Sequence, residues 1–281
     1  MDFLGGASRV WGVEKMFQSS LSQVVVIPGG KIRLITDGLS DLVRKYEPVW
    51  RQSNHQHPNI VYVMGGIPDI TTRLKGNGWG RNAPYEEVVM DTDVPTTLDY
   101  VHAEIRSSEK RLKRMGAVPV FCTVTTMDLE AYNLHRMYKG KTSCLMYRHQ
   151  YPRMQIELNE AILKVNDIIR EVNVQNGVMT PDFARYTMTA REVLSETQDT
   201  KFKIRTGPSR FTDGCHPTKE LSNKWSYHLA NVQKDNRAKL STLYFDGNLF
   251  IPRHLSVWPY IHTYIHTYIL HGPWPYNRTR K

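Results

Sequence analysis

Apolar positions along this chain follow two periods. Short unbroken runs, DFLGG (2–6), SQVVVIPGG (22–30), NIVYVMGG (59–66) and GAVPVFCTVTT (116–126), are rich in β-branched residues, and the first three end in Gly-Gly. Runs that are apolar on both faces predict strands buried on both sides. Between and after them the period is close to 3.6. TLDYVHAEIRSSEKRLKRMG (97–116) places Leu98, Val101, Ile105 and Leu112 on one face and stops at Gly116. IELNEAILKVNDIIREVNVQNG (156–177) does the same with Leu158, Ile162, Val165, Ile169 and Val172, and PTKELSNKWSYHLAN (217–231) with Leu221, Trp225 and Leu229. These stripes predict helices packed on a sheet by one face. The alternation predicts an α/β fold, a three-layer α/β/α sandwich around a central parallel sheet. Ligands in such folds sit beyond the carboxyl ends of the strands, where the Gly-Gly turns fall.

The last fifty residues break the pattern. YIHTYIHTYIL (260–270) repeats Ile-His-Thr-Tyr, which can be encoded by an in-frame tetranucleotide repeat. We therefore expect one domain over 1–232 and a disordered tail over 233–281. His262 and His266 are four apart, but Ile, Thr and Tyr make a poor isolated helix on which to present metal ligands. Charge changes the picture only locally. The net charge is +10, yet residues 233–281 hold seven Lys/Arg against two Asp, which leaves 30 basic and 25 acidic residues in 1–232. A body so mildly basic makes nucleic acid a minor candidate partner. Its dense cluster, EKRLKRMG (109–116), reads as the cationic last turn of a helix.

No run approaches the ~20 apolar residues of a membrane span. MDFLGGASRVWG lacks the basic and apolar regions of a signal peptide. Cys122, Cys144 and Cys215 are odd in number and match no metal or disulfide spacing. An intracellular, cytoplasmic location follows as the expectation. No metal or other cofactor is implied.

The chemistry concentrates in FTDGCHPTKEL (211–221), where an Asp stands three residues before a His on a Gly-containing turn. One reading is structural: Asp213-Gly214 makes the turn, Pro217 opens a helix and His216 is incidental. The other is that Asp213 holds the His216 imidazole in one tautomer, so that it deprotonates a hydroxyl elsewhere in the chain.

Four stretches in order decide between these readings: GAS (6–8), PGG (28–30), GIPD (66–69) and DGCHP (213–217), with a βα pattern between them. Together they resemble the blocks of the SGNH (GDSL-type) hydrolase family over roughly residues 1–232. The resemblance implies a flavodoxin-like three-layer α/β fold and an esterase acting on a small-molecule ester. It implies Ser8 as nucleophile, His216 as base and Asp213 as the carboxylate that orients it. It further implies an oxyanion hole made by the amide of Ser8 and a glycine amide, Gly29 or Gly30. The chain departs from the family pattern twice. Ala7 replaces the Asp of Gly-Asp-Ser, and Pro68 falls where the third block carries an Asn donor. Loss of one oxyanion donor typically costs about 10²–10³ in rate.

A rival expectation from a different class is a catalytically degenerate binding module, such as an accessory domain of a mobile element. Other residues read more plainly. His55 and His57 fall in a polar loop beside Pro58, Cys215 adjoins His216 but is a poorer partner for it than Ser8, and KGNGWGRNAPYEE (75–87) reads as a surface loop near the site. Tyr132 and Tyr138 are candidate pocket walls.

Overall fold

The computed structural model describes residues 1–13, 22–52, 58–74, 87–91, 93–142, 145–194, 200–206 and 210–245. His55, His57, residues 75–86, Cys144 and the repeat with His262 and His266 lie outside the described residues. In chain order, strand β1 (Asp2–Gly6) leads into a 3-10 turn (Ser8–Gly12), followed by β2 (Ser22–Val26), α1 (Ile32–Gln52) and β3 (Asn59–Met64). A single helical turn (Ile67–Ile70) then enters the antiparallel pair β4 (Thr71–Leu74) and β5 (Glu87–Met90). Next come α2 (Val94–Arg114), β6 (Ala117–Phe121), α3 (Leu129–Tyr138) and α4 (Tyr151–Gln175). A second antiparallel pair, β7 (Met188–Leu194) and β8 (Thr200–Thr206), precedes α5 (Lys219–Phe245).

The central sheet is parallel, in the order β2-β1-β3-β6. All four expected strands are present and β1 is interior, paired on both sides: Leu4 faces Val24 on one neighbour and Tyr62 on the other. Although only five residues long, β1 therefore presents no open edge. Alternate residues feed two cores. Phe3, Val61, Val63 and Phe121 point to one side and pack with Ile35 and Leu39 of α1, Val101, Ile105 and Leu112 of α2, and the Leu158–Val172 stripe of α4. Leu4, Ile60, Tyr62 and Val120 point to the other and pack with Leu221, Trp225 and Leu229 of α5. Helices on both faces of a parallel sheet make the three-layer α/β/α sandwich, and each fully buried large aliphatic side chain contributes about 1.5–3 kcal/mol to it.

The sheet's β6 edge is closed by side chains. Asn173 of α4 accepts from the Phe121 amide at 2.9 Å and donates to the Phe121 carbonyl at 2.7 Å, and Asn166 does the same for Val124 at 2.6 and 2.9 Å. The two asparagines are seven residues apart, hence on one helical face, and they satisfy backbone groups that a further strand would otherwise take.

Three expectations shift. Helix α1 occupies residues 32–52, to which the sequence pattern assigns no element; Ile32, Ile35, Leu39 and Val43 are its buried stripe. The boundary expected at residue 232 falls inside α5, which continues to Phe245 with Asn236 and Leu240 buried. Pro217 does not open that helix. It forms an isolated bridge with Phe211, and Thr218 caps the helix instead, its hydroxyl accepting from the Leu221 amide at 3.3 Å. The basic cluster at 109–116 ends α2, as its pattern predicts, with Lys113 paired to Glu109 at 2.7 Å. No described helix is long and apolar enough to cross a membrane.

Candidate active site

Parallel strands bring their carboxyl ends to one edge, and three of the four sequence blocks lie there. The Ile27 amide donates to the Gly6 carbonyl at 2.9 Å and the Ala7 amide to the Met64 carbonyl at 3.2 Å, so the segments leaving β1, β2 and β3 run side by side. Ser8 begins the 3-10 turn directly after β1.

The fourth block closes on itself before it meets Ser8. The Phe211–Pro217 bridge and the Thr212 amide, which donates to the His216 carbonyl at 2.8 Å, make a tight loop. Inside it, Asp213 Oδ1 accepts from the amides of Cys215 (3.0 Å) and His216 (2.7 Å), while Oδ2 meets His216 Nδ1 at 2.6 Å. Gly214 sits at φ +80°, and a Cβ there would lie 2.6 Å from the Tyr132 nitrogen and 2.7 Å from the Asp128 carbonyl oxygen, so only glycine lets the loop dock on the start of α3. The Asp128 amide fastens the contact by donating to the Gly214 carbonyl at 2.7 Å.

Ser8 and His216 meet across 208 residues of sequence: Ser8 Oγ is 2.8 Å from His216 Nε2. Burial pushes the Asp213 carboxyl up, but hydrogen bonds from the His216 ring and amide, the imidazole charge and the Cys215 amide outweigh it and hold the group at about 2. Asp213 is thus ionised and can only accept. Nδ1 of His216 therefore carries the ring proton, and Nε2 is left to accept from the Ser8 hydroxyl. Both ring nitrogens are engaged, and neither is on Cys215. The Cys215 sulfur instead receives the Arg9 guanidinium at 3.4 Å.

The two glycine candidates separate. Gly29 is exposed at φ +66° in the turn Ile27–Gly30, whereas Gly30 is buried and its amide donates to the Ile27 carbonyl at 2.8 Å. A donor already closing a turn is a poor one for a substrate. Pro68 stands in the first turn of the helix Ile67–Ile70 and, as a proline, offers neither an N–H nor a polar side chain. Its neighbour Asp69 is buried and accepts from the Ile32 amide at 3.0 Å, capping α1. Burial pushes Asp69 up to about 6, with the Ile32 N–H and the Lys31 charge pulling the other way.

Two residues at this site carry no local sequence signal. Arg9, next to Ser8, is only 8% exposed. It donates to the Thr125 carbonyl (2.9 Å), the Thr125 hydroxyl and the Thr126 carbonyl (3.1 Å), and lies over the Phe211 ring at 5.6 Å. It thereby ties the Ser8 turn to the segment after β6 and to the His216 loop. Arg73, exposed on β4, places Nη2 3.2 Å from the point a Cβ on Gly29 would occupy. Of the candidate walls, Tyr132 is half-buried with the Arg136 guanidinium 5.8 Å from its ring centroid, and Tyr138 is 86% exposed. Glu87, read with the preceding loop, is buried in β5 and accepts from the Tyr151 hydroxyl at 2.5 Å and the Tyr147 amide at 3.0 Å.

A cavity of about 150 Å³ opens on the flank of the His216 loop, lined by Thr126, Asp128, Tyr151, Gln155 and Phe211 among others; Ser8, Asp213 and His216 do not line it. Among the described residues, no three His, Cys, Asp or Glu side chains come together as a metal site would require.

No protein-family model matches the chain, and no curated protein matches it in sequence. Among solved structures it is similar to a GDSL-like lipase from Bacteroides thetaiotaomicron, with 15% identity and a TM-score of 0.47 over 83% of this chain and 87% of the lipase. It is also similar to the acetyl xylan esterase AlAXEase, with 15% identity and a TM-score of 0.40 over 82% of this chain and 98% of the esterase. Likeness at these levels assigns no activity by itself.

Proposed function

We propose that this chain is a divergent serine hydrolase of the SGNH type, cleaving a small-molecule ester through an acyl-enzyme on Ser8. The observation that carries the proposal is the unbroken series Ser8 Oγ–His216 Nε2 at 2.8 Å and His216 Nδ1–Asp213 Oδ2 at 2.6 Å. A serine hydroxyl is a weak nucleophile, and a base in hydrogen-bond reach with a fixed tautomer is what activates it. As Ser8 Oγ attacks the ester carbonyl, its proton passes to Nε2, and the imidazolium that forms is stabilised by the Asp213 carboxylate. The tetrahedral oxyanion is met by the amides of Ser8 and Gly29. Collapse breaks the ester C–O bond, with the Nε2 proton going to the departing alcohol. A water then takes the place of that alcohol, loses its proton to Nε2 and releases the acid, restoring Ser8.

Pro68 favours the second reading, a binding module that keeps the fold after losing an oxyanion donor. A fluorophosphonate serine-hydrolase probe on the full chain separates the two. The expected outcome is labelling of the wild type and none of Ser8→Ala. A folded wild type that takes no label removes the activated serine and leaves the binding module, whose affinity for a polyanion would fall with salt.

A further inference from the structure

The proposed reaction leaves an electrostatic gap. Negative charge develops on the carbonyl oxygen, and the corner formed by Gly66–Asp69 contributes no donor there because residue 68 is proline. The chain supplies a cation five residues later. The helical turn Ile67–Ile70 runs straight into β4, whose third residue is Arg73. Its Nη2 stands 3.2 Å from where a Cβ of Gly29 would be, on the same turn whose amide faces the oxyanion. Its charge is also felt at Tyr132: burial raises that phenol, and the charges of Arg136 and Arg73 act against the rise. The Tyr132 backbone packs against the His216 loop, where a Cβ on Gly214 would lie 2.6 Å from the Tyr132 nitrogen. Arg73 thus stands beside the Gly29 turn, the turn whose amide the proposed reaction assigns to the oxyanion.

We infer that Arg73 is a catalytic residue that donates a guanidinium N–H to the oxyanion in place of the side chain missing at Pro68. The inference rests on the serine-hydrolase reading above. Guanidinium suits the role because it is charged at every working pH and offers several N–H groups in a fixed fork. Hydrogen bonds from an ionised donor are roughly twice as strong as neutral ones, so one arginine contact can replace an amide donor. An interaction that strengthens only as charge develops raises kcat and leaves KM nearly unchanged.

The test is steady-state hydrolysis of p-nitrophenyl acetate by full-length wild type, Arg73→Gln, Arg73→Lys and the double variant Pro68→Asn/Arg73→Gln, with thermal melts as a fold control. Arg73→Gln is expected to lower kcat about 10²–10³-fold with KM within about threefold, and Arg73→Lys to lose less. The double variant, which restores an amide at position 68, is expected to recover at least about tenfold over Arg73→Gln. A kcat within about threefold of wild type in folded Arg73→Gln, or a loss carried wholly by KM, overturns the inference. Either result can be told from failure of the hydrolase reading, which would already show as a wild type that neither takes the fluorophosphonate label nor turns over ester.

Discussion

Two carboxylates, buried Asp69 and half-buried Asp213, mark the two corners of this site, and their surroundings drive them in opposite directions. Asp213 is enclosed by donors: two backbone amides and an imidazole N–H. Asp69 accepts from a single amide, that of Ile32. Burial acts on both, yet one carboxyl ends at about 2 and the other at about 6. Asp69 is the more buried and has one donor, whereas Asp213 is held down by its donors although burial pushes it up, so burial and donors together set the charge. The corner with surplus donors is the one whose charge the proposed chemistry uses. The corner with fewer donors is the one that holds Pro68, and there Asp69 serves as a helix cap.

The largest expected effect breaks the first corner. Asp213→Asn loses the acceptor that fixes the His216 tautomer, and kcat/KM for an ester should fall about 10⁴-fold, measured by steady-state kinetics. The same change should lower stability. With its folded value depressed from 3.8 to about 2, Asp213 contributes up to about 2 kcal/mol that is fully present above the unfolded value and lost as pH falls through about 2. Denaturant titrations at pH 7 and pH 2 check this: the wild-type advantage over Asp213→Asn should shrink at the lower pH.

Next in size is Arg9→Met, which keeps the side chain's bulk and removes its donors. It strands the carbonyls of Thr125 and Thr126 behind the His216 loop, at about 1–3 kcal/mol for a buried acceptor left unpaired. Activity should fall along with the melting temperature, since Ser8 and the Cys215–His216 turn lose their common brace. An unchanged kcat in a destabilised Arg9→Met would separate the brace from the chemistry.

The smallest effect carries the opposite sign. The folded value of Asp69 is raised, so the folded chain binds that proton more tightly than the unfolded chain and gains stability as pH falls from about 6 towards 4. At pH 8 the buried charge is a cost, and Asp69→Asn, which still accepts from the Ile32 amide, should be more stable than wild type by about 1–2 kcal/mol. The difference should vanish near pH 4. A stabilising change at one corner and a destabilising one at the other, for the same chemical replacement, is the sharpest form of the comparison.

Much of the fold could be read from the chain because its strands are unbroken apolar runs and three of its helices carry long stripes. Helix α1 was hidden by Asp37-Gly38 and an internal Pro48, although Ile32, Ile35, Leu39 and Val43 keep helical spacing. At the site, Asp213 and His216 were legible because they are three residues apart and interact within their own turn. Ser8 became legible through the order of the four blocks, since nothing near it in sequence announces a base. Arg9, Asp69 and Arg73 were not legible as site residues. Their partners Thr125, Ile32 and Gly29 are brought to them by the sheet, and no local pattern encodes such a meeting.

The 208 residues that separate Ser8 from His216 order events during synthesis. Ser8 is translated before His216, and at about 5–20 residues per second its partner follows about 10–40 s later. Throughout that interval the nascent chain can fold the strand that bears the hydroxyl while the hydroxyl itself stays chemically idle. The proposed reactivity would then be the last property acquired, since the Ser8–His216 contact forms only when the His216 loop docks. A ribosome that stalls before residue 213 releases a sheet with a harmless serine on its rim.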